Sequence, residues 1–450
     1  MFQKVLVANR GAVAARVLRA LRTMGLRSVA VYSDADGKAS YLAMADETVH
    51  LGAAEPAASY LNQDALLAAL RRTGADALHP GYGFLSERAD FAQRVIDAGV
   101  AFIGPSPRWI DAMGHKTRAR ALMARHGMPM ARSSAVLDGD PAAALRAAEA
   151  IGFPVLVKPA NGGGGIGMLA AADAAALEGA LERARSLAAR SFGNAELYLE
   201  QLMERPRHIE FQMLADRHGH ARHLFERDCS VQRRHQKVIE ESPAPRLPRA
   251  AVEGTAQQMA GILETLGYDV IGTVESLYGA SGAFQFLEMN TRLQVEHAVT
   301  EEITGIDLVI AQIRLAAGER LAEVLPPDIA VRGHAIEARI YAEDPVRFYP
   351  SPGTLKVLRF PAGSGIRVET GYAEGDTVTP YYDPMVAKLI VHADSRDAAI
   401  DRMVEAIGAT AIEGVRHNLP FVLQVLQSAA FRAGDVHTGI AADVLAAQRR

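Results

Sequence analysis

Lys158-Pro-Ala-Asn-Gly-Gly-Gly-Gly-Ile-Gly-Met168 follows the apolar run Val155-Leu156-Val157 and leads into a second short apolar stretch at 168–171. Two strand-like segments joined by a glycine-rich turn read as a β-hairpin. With no Cβ at Gly163, Gly164 and Gly165, backbone N–H groups can close on phosphate oxygens. A merely flexible hairpin has the same composition. Lys158 favours the phosphate reading, because a lysine closing an otherwise apolar strand needs an anionic partner. The Gly-Lys-Ser/Thr ending of a P-loop is missing, which disfavours a Walker-type NTPase. On either side, Asp140-Pro141 predicts the cap and first turn of a helix to about 151, and Asp173 caps another to about 190. With a strand at 197–200, the unit from about 130 to 202 can hinge as a lid.

Upstream, strands at 5–8, 29–32 and 75–78 alternate with a helix at 12–24, where Val13, Val17, Leu18 and Leu21 recur at helical spacing. That order predicts a parallel sheet with ligand loops at the strand C-termini. Asn9-Arg10-Gly11 stands where a dinucleotide fingerprint would, without its glycine spacing, so no dinucleotide site is expected.

Downstream, strand signals at 208–215 and 221–226 flank Asp216-Arg-His-Gly219, and others at 273–278 and 283–288 flank Gly279-Ala-Ser-Gly282. Symmetric pairing about the second turn sets Leu277 opposite Phe286 and Glu275 opposite Glu288. Cross-strand Cβ atoms lie ~4.5–5.5 Å apart, so two carboxylates there repel unless a cation joins them. Hard oxygen donors suit Mg²⁺ or Mn²⁺, and Asn290 adds an oxygen on the same face. A slipped register would instead leave one glutamate in solvent.

The run Glu288-Met-Asn-Thr-Arg-Leu-Gln-Val-Glu-His297 continues with period two. If extended, Asn290, Arg292, Gln294 and Glu296 share a face, with Thr291, Leu293 and Val295 anchoring the other. Arginine, amide and carboxylate together can hold and deprotonate a small planar oxyanion. A solvated charged strand has the same pattern, and these residues alone leave both readings open. A β-rich stretch at 335–392 and a helix at 396–407 follow.

Over 450 residues, 49% hydrophobic and 22% charged, the chain is expected to form several globular domains. The formal net charge is -4 with signs interspersed, so no nucleic-acid partner is expected. The basic run Arg233-Arg-His-Gln-Lys237, set against Glu240 and Glu241, reads as a local anion site. Cys229 is the only cysteine, which excludes an intrachain disulfide or thiolate cluster and reads as a small buried residue. No run of about 18 apolar residues occurs, so no membrane partner and a cytoplasmic location are expected.

Many short runs match one family in order. They include Ala8-Asn-Arg-Gly11, Ala45-Asp-Glu47, His79 to Glu87, Phe102-Ile-Gly-Pro105, Met113-Gly and Lys116. Further on come Pro206-Arg-His208, Glu226-Arg-Asp-Cys-Ser230, Gln232 to Lys237 and Glu288 to His297. Arg332-Gly-His334 through Glu337, Arg339 and Ala342-Glu-Asp344, then Tyr381-Tyr-Asp-Pro-Met385 with Lys388, complete them. On these residues the chain resembles biotin carboxylase, the ATP-grasp component of biotin-dependent carboxylases, over essentially its whole length.

The resemblance implies a multidomain α/β and α+β architecture. A parallel-sheet pre-ATP-grasp domain would span 1–112, an ATP-grasp region with the mobile lid 113–330, and a β-rich C-terminal domain 331–446. Lys116 and Lys158 would contact ATP phosphates, Glu200 and Leu202 the adenine, with His208, Gln232 and His235 completing the nucleotide site. Glu275 and Glu288, with Asn290 nearby, would ligate two Mg²⁺ or Mn²⁺ ions. Lys237, Arg292, Gln294, Val295 and Glu296 would surround bicarbonate, Glu296 acting as base. Bicarbonate attack on the γ-phosphate would give carboxyphosphate and ADP; carboxyphosphate would break down to CO₂ and phosphate, and phosphate would take the biotin N1′ proton. Arg339 would stabilise the biotin enolate and Tyr82 line its pocket. Lys237, Arg292, Glu296 and Arg339 are thus the expected catalytic set.

The resemblance also implies a homodimer and the task of a subunit of an acetyl-CoA or other acyl-CoA carboxylase. The Ala-Met-Lys-Met segment of a biotin carrier is missing, so biotin is expected on a separate biotin carboxyl carrier protein, with a carboxyltransferase subunit serving the final acceptor. In the lid loop, Asn161 stands for a family glycine and Ile166 for a basic residue, which restricts the loop and removes a cation. An acceptor such as urea or another amide would keep the same chemistry. A nucleotide-binding pseudo-enzyme would keep only the fold, and the intact catalytic set argues against it.

Overall fold

The computed structural model describes residues 1–161 and 166–447. Strands β1 (Lys4–Val7), β2 (Arg27–Ser33), β3 (Glu47–Gly52), β4 (Ala77–His79) and β5 (Ala101–Phe102) form the expected parallel sheet, in the order β3-β2-β1-β4-β5. Its inner strands β1 and β4 and most of β2 are buried because helices cover both faces, whereas edge strand β3 is partly polar. Val5 and Val7 join the cluster of helix Gly11–Thr23, whereas Leu6 joins that of helices Gln63–Thr73 and Ala89–Asp97. Burial pushes His79, at the end of β4, down to about 3, and its neutral ring accepts the Gly81 N–H at 3.0 Å. A Cβ on Gly81, at φ +65°, would come within 2.9 Å of Asn9 and Val13. The Asn9 amide donates to the carbonyls of Pro80 at 2.7 Å and Tyr82 at 2.8 Å. The Asn9-Arg10-Gly11 turn thereby fastens the loop that carries Tyr82.

The strands before and after the glycine run belong to a three-stranded antiparallel sheet of β6 (Val155–Pro159), β7 (Leu169–Ala171) and β8 (Leu197–Gln201), with β6 central. Asp140 caps helix Pro141–Ile151 and Asp173 caps helix Ala174–Phe192, each accepting backbone N–H groups of the first turn. Much of the core is alanine: Ala144, Ala148, Ala180, Ala184 and Ala188 pack around Val155, Val157 and Leu199. Gly163, Gly164 and Gly165, expected at the phosphates, lie outside the described residues.

The remaining large sheet has eight strands. β9 (Arg207–Ala215), β10 (Ala221–Arg233), β11 (Gln236–Ser242), β12 (Val270–Tyr278), β13 (Phe284–Asn290) and β14 (His334–Tyr341) join strands Met385–Ala393 and Ile366–Thr370. The order is β13-β12-β9-β10-β11-β14, then Met385–Ala393, then Ile366–Thr370. Alternation on β9 is regular: Phe211 and Met213 pack with helix Arg249–Leu266, and Leu214 with helix Leu308–Ala316 on the other side.

Two expectations need correction. Glu275 lies opposite Glu288 and Thr273 opposite Asn290, but nearer the turn Leu277 pairs with Gln285, not Phe286. A bulge leaves Leu287 without a partner and shifts the inner register by one. Beyond Asn290 the chain does not stay extended: 291–296 bends and turns, and helix His297–Thr304 begins. Among the described residues, no helix is long and apolar enough to cross a membrane.

Candidate active site

One cavity of about 410 Å³ lies between the lid strands and the large sheet. It is lined by Lys116, Lys158, Glu200, Leu202, His208, Gln232, His235, Lys237, Glu275, Glu288, Asn290, Arg292, Gln294, Val295, Glu296 and Arg339. Tyr82 lines an adjoining cavity of about 570 Å³ that shares only Val295 and Arg339 with the first. Residues separated by more than 200 positions in the chain therefore meet around two connected spaces, with Arg339 between them.

At the lid end, buried Lys158 meets Glu200 at 3.2 Å. The anionic partner its strand position demanded is thus a carboxylate of the neighbouring strand. Arg120 holds the same carboxylate at 3.1 Å and bonds the carbonyls of Ala131 and Phe286. Lys116 pairs with Glu288 at 3.0 Å. Between β10 and β11, Arg234 and His235 both take left-handed backbone, at φ 50° and 66°. The cost, about 1–3 kcal/mol each, goes into a tight hairpin that sets His235 and Lys237 at the cavity. Of the two glutamates that follow this basic run, Glu240 pairs with Arg339 and lies within the field of Lys237, whereas Glu241 pairs with His334 and Arg396. A bulge at Val238 interrupts the alternation of β11 between Lys237 and Ile239.

At the sheet end, Lys237 is the hub. Its ammonium contacts Glu210, lies 3.0 Å from Glu275 and 2.8 Å from Glu296. Arg339 grips the other Glu296 oxygen at 2.8 Å and Glu240 at 2.6 Å. Burial alone would raise the Glu296 carboxyl, but Lys237, Arg339 and Arg227 outweigh it and hold the group well below the usual carboxylate range. Glu275 is likewise raised by burial and brought well below that range by Lys237 and by His208, whose Nε2 is 2.9 Å away. Glu210 goes the other way: burial and the nearby Glu296 push it up to about 7, against Lys237. Cys229 is fully buried with Sγ 3.8 Å from Glu296, and its thiol is pushed well up by burial, an inert arrangement.

Arg292 joins the group although its backbone is not extended. Its guanidinium meets Glu87 at 2.8 Å, Gln294 Oε1 at 2.8 Å and Asn290 Oδ1 at 3.0 Å. Gln294 in turn donates to Glu275 at 3.0 Å. The bend brings these side chains together where alternation would have left them in a row. Glu87, Arg120, Glu210 and Arg227 were not expected here. For Glu210 a signal existed, since it stands two residues after His208 on one strand and so shares its face.

The donor set fits a divalent cation. Glu275 and Glu288 are in direct cross-strand register, Asn290 follows on β13, and the Glu288 carboxylate is open to the cavity. All three offer hard oxygens of the kind Mg²⁺ prefers.

Residues 1–110 match the family description "Biotin carboxylase, N-terminal domain", 115–324 "Carbamoyl-phosphate synthase L chain, ATP binding domain", and 337–443 "Biotin carboxylase C-terminal domain". The chain is 48% identical to a biotin carboxylase of Halalkalibacterium halodurans, covering 97% of both chains. It is 47% identical to biotin carboxylase 2 of Bacillus subtilis, over 97% of this chain and 98% of that one. Among solved structures it resembles the biotin carboxylase domain dimer of Hydrogenobacter thermophilus 2-oxoglutarate carboxylase in complex with MgADP, ADP and bicarbonate. That likeness has a TM-score of 0.96 at 42% identity and covers 99% of each chain. A Campylobacter jejuni biotin carboxylase complexed with β-γ-ATP matches with TM-score 0.96 at 40% identity, over 98% of this chain and 99% of that one.

Proposed function

This chain belongs to the biotin carboxylase family, and from that premise we propose how its residues carry out ATP-dependent carboxylation of biotin. The observation that carries the reading is the Glu296 carboxylate clasped by Lys237 and Arg339 in the same cavity as Lys116, Lys158 and the paired Glu275 and Glu288. Lys116 and Lys158 exchange their carboxylate partners for nucleotide phosphates, with Glu200, Leu202, His208, Gln232 and His235 holding the rest of the nucleotide. Glu275, Glu288 and Asn290 would hold divalent metal, Mg²⁺ or Mn²⁺ in two sites, and a bound ion would neutralise phosphate charge.

Bicarbonate is the anion that Lys237, Arg292, Gln294 and Val295 receive. When it takes Lys237 from Glu296, the carboxylate loses its strongest cationic partner and its affinity for a proton rises, which suits a base. Glu296 then accepts the bicarbonate proton as the bicarbonate oxygen attacks the γ-phosphorus, and the bond from that phosphorus to the β–γ bridging oxygen breaks to release ADP. The carboxyphosphate formed breaks down to CO₂ and phosphate, and phosphate removes the N1′ proton of biotin. Arg339, standing between the two cavities, balances the enolate charge, with Tyr82 beside it, while N1′ attacks the carbon of CO₂ to give carboxybiotin. Biotin comes on a separate carrier protein, and a carboxyltransferase subunit uses the product. A homodimer and the task of an acyl-CoA carboxylase subunit complete the proposal.

Phosphate release measured with MgATP, bicarbonate and free biotin tests it. Turnover is expected to need all three. ATP cleavage indifferent to bicarbonate overturns the reading.

A further inference from the structure

The base residue is held at more than its carboxylate. Arg339 of β14 lies directly opposite Lys388 of strand Met385–Ala393, and Lys388 directly opposite Glu369 of strand Ile366–Thr370. Residues opposite one another on adjacent strands share a face, so Arg339, Lys388 and Glu369 form a row across three strands. Arg339 at one end holds the Glu296 side chain. Lys388, fully buried in the middle, donates to the Val295 carbonyl at 2.5 Å. Its ammonium also lies 2.9 Å from Glu369 and 3.7 Å from Glu337. Glu369 is steadied from beyond by Arg367 and by Arg16 at 3.3 Å.

Residues 291–296 belong to neither strand nor helix, so no ladder fixes the peptide between Val295 and Glu296. A cation on a strand paired on both sides is a rigid point from which to fix it. We propose that Lys388 is a positioning residue for bicarbonate: by pinning the Val295 carbonyl it sets the Val295–Glu296 peptide, and with it the base, against the anion held by Lys237 and Arg292. Glu369 acts through Lys388 by keeping its ammonium aimed at that carbonyl. The inference rests on the functional reading above and adds a residue that contacts no substrate.

Lys388→Met keeps the length of the side chain and removes the donor. A charged hydrogen bond is worth about ten- to a hundredfold in an equilibrium, so the bicarbonate KM is expected to rise about tenfold or more while the ATP KM stays within about twofold. A merely structural lysine would lower the thermal midpoint and the active fraction, reducing kcat with both KM values intact; that pattern overturns the inference. If Lys388→Met does not fold, Glu369→Gln leaves the lysine in place and loosens it. A smaller rise confined to the bicarbonate KM is expected, and an unchanged value overturns the inference. Wild-type ATP cleavage that ignores bicarbonate overturns the functional reading and this inference together. A bicarbonate-dependent wild type beside a variant with unaltered bicarbonate KM overturns the inference alone.

Discussion

The lid and the large sheet face each other across one cavity and are built on opposite principles. The lid packs alanines around a three-stranded sheet, and its functional lysine rests against a single carboxylate, Glu200. The large sheet buries Arg227, Lys237, Glu210, Glu275, Glu296 and Arg339 within reach of one another. Alanine buries little apolar area, so Ile151, Val155, Val157, Leu177, Leu181, Leu197 and Leu199 supply most of the apolar burial in that core. Buried charges must be fully paired, and each partner added fixes the others more tightly. Under the proposed function, nucleotide holding falls to the alanine-packed unit and proton transfer to the unit of paired buried charges.

The sharpest break in that contrast is Glu296→Gln. It keeps the shape of the side chain and its place between Lys237 and Arg339 while removing the proton acceptor. Loss of a general base is worth about 10²–10⁴-fold, so kcat for bicarbonate-dependent phosphate release is expected to fall by that much, with the ATP KM little changed. A mild loss of kcat, or a loss confined to the ATP KM, would mean that the sheet does not carry the proton transfer.

Ile166→Arg probes the lid. Ile166 is 48% exposed, so a cation there meets water and not a core. One charged hydrogen bond weakened by solvent competition is expected to lower the ATP KM about three- to tenfold with an unchanged thermal midpoint. An unchanged or raised KM would remove the missing-cation account of that position.

The smallest effect concerns the charge left over in the sheet. Glu337 is fully buried, and neither oxygen has a hydrogen-bond partner among the described residues. Burial pushes its carboxyl up to about 8, with Lys388 opposing. A raised carboxyl keeps its proton in the fold after the unfolded chain has lost it, so stability drains away as pH rises from about 4.5 toward 8 and then levels off. Glu337→Gln has no proton to lose. Its thermal midpoint, followed against wild type from pH 5 to 9, is expected to pull ahead across that window. A constant difference would show that Glu337 is already ionised at the low end.

Capped helices, parallel strands and the Glu275–Glu288 pairing were legible because each depends on neighbours in sequence: a cap on the next three residues, a strand on alternation, a hairpin on its turn. The same local logic misplaced Leu277, since a bulge at Leu287 costs one residue of register and leaves no compositional mark. It also drew Asn290 to Glu296 as a straight face. The chain turns over 291–296 and leads into helix His297–Thr304, which is seated by packing of Ala298, Val299 and Ile303 against Ala335 and Ile390. Motif identity survived the wrong geometry because chemistry constrains residue types more tightly than backbone path.

By itself, then, the sequence named many of the groups that line the cavity: Lys116, Lys158, Lys237, the paired glutamates, Glu296, Arg292 and Arg339. Tertiary structure alone decided their partners. Lys158 against Glu200, Arg292 against Glu87, and Lys388 beneath Val295 are contacts between segments far apart in the chain. A buried charge is satisfied by whatever lies within about 3 Å in space, and no periodicity along the chain records that distance.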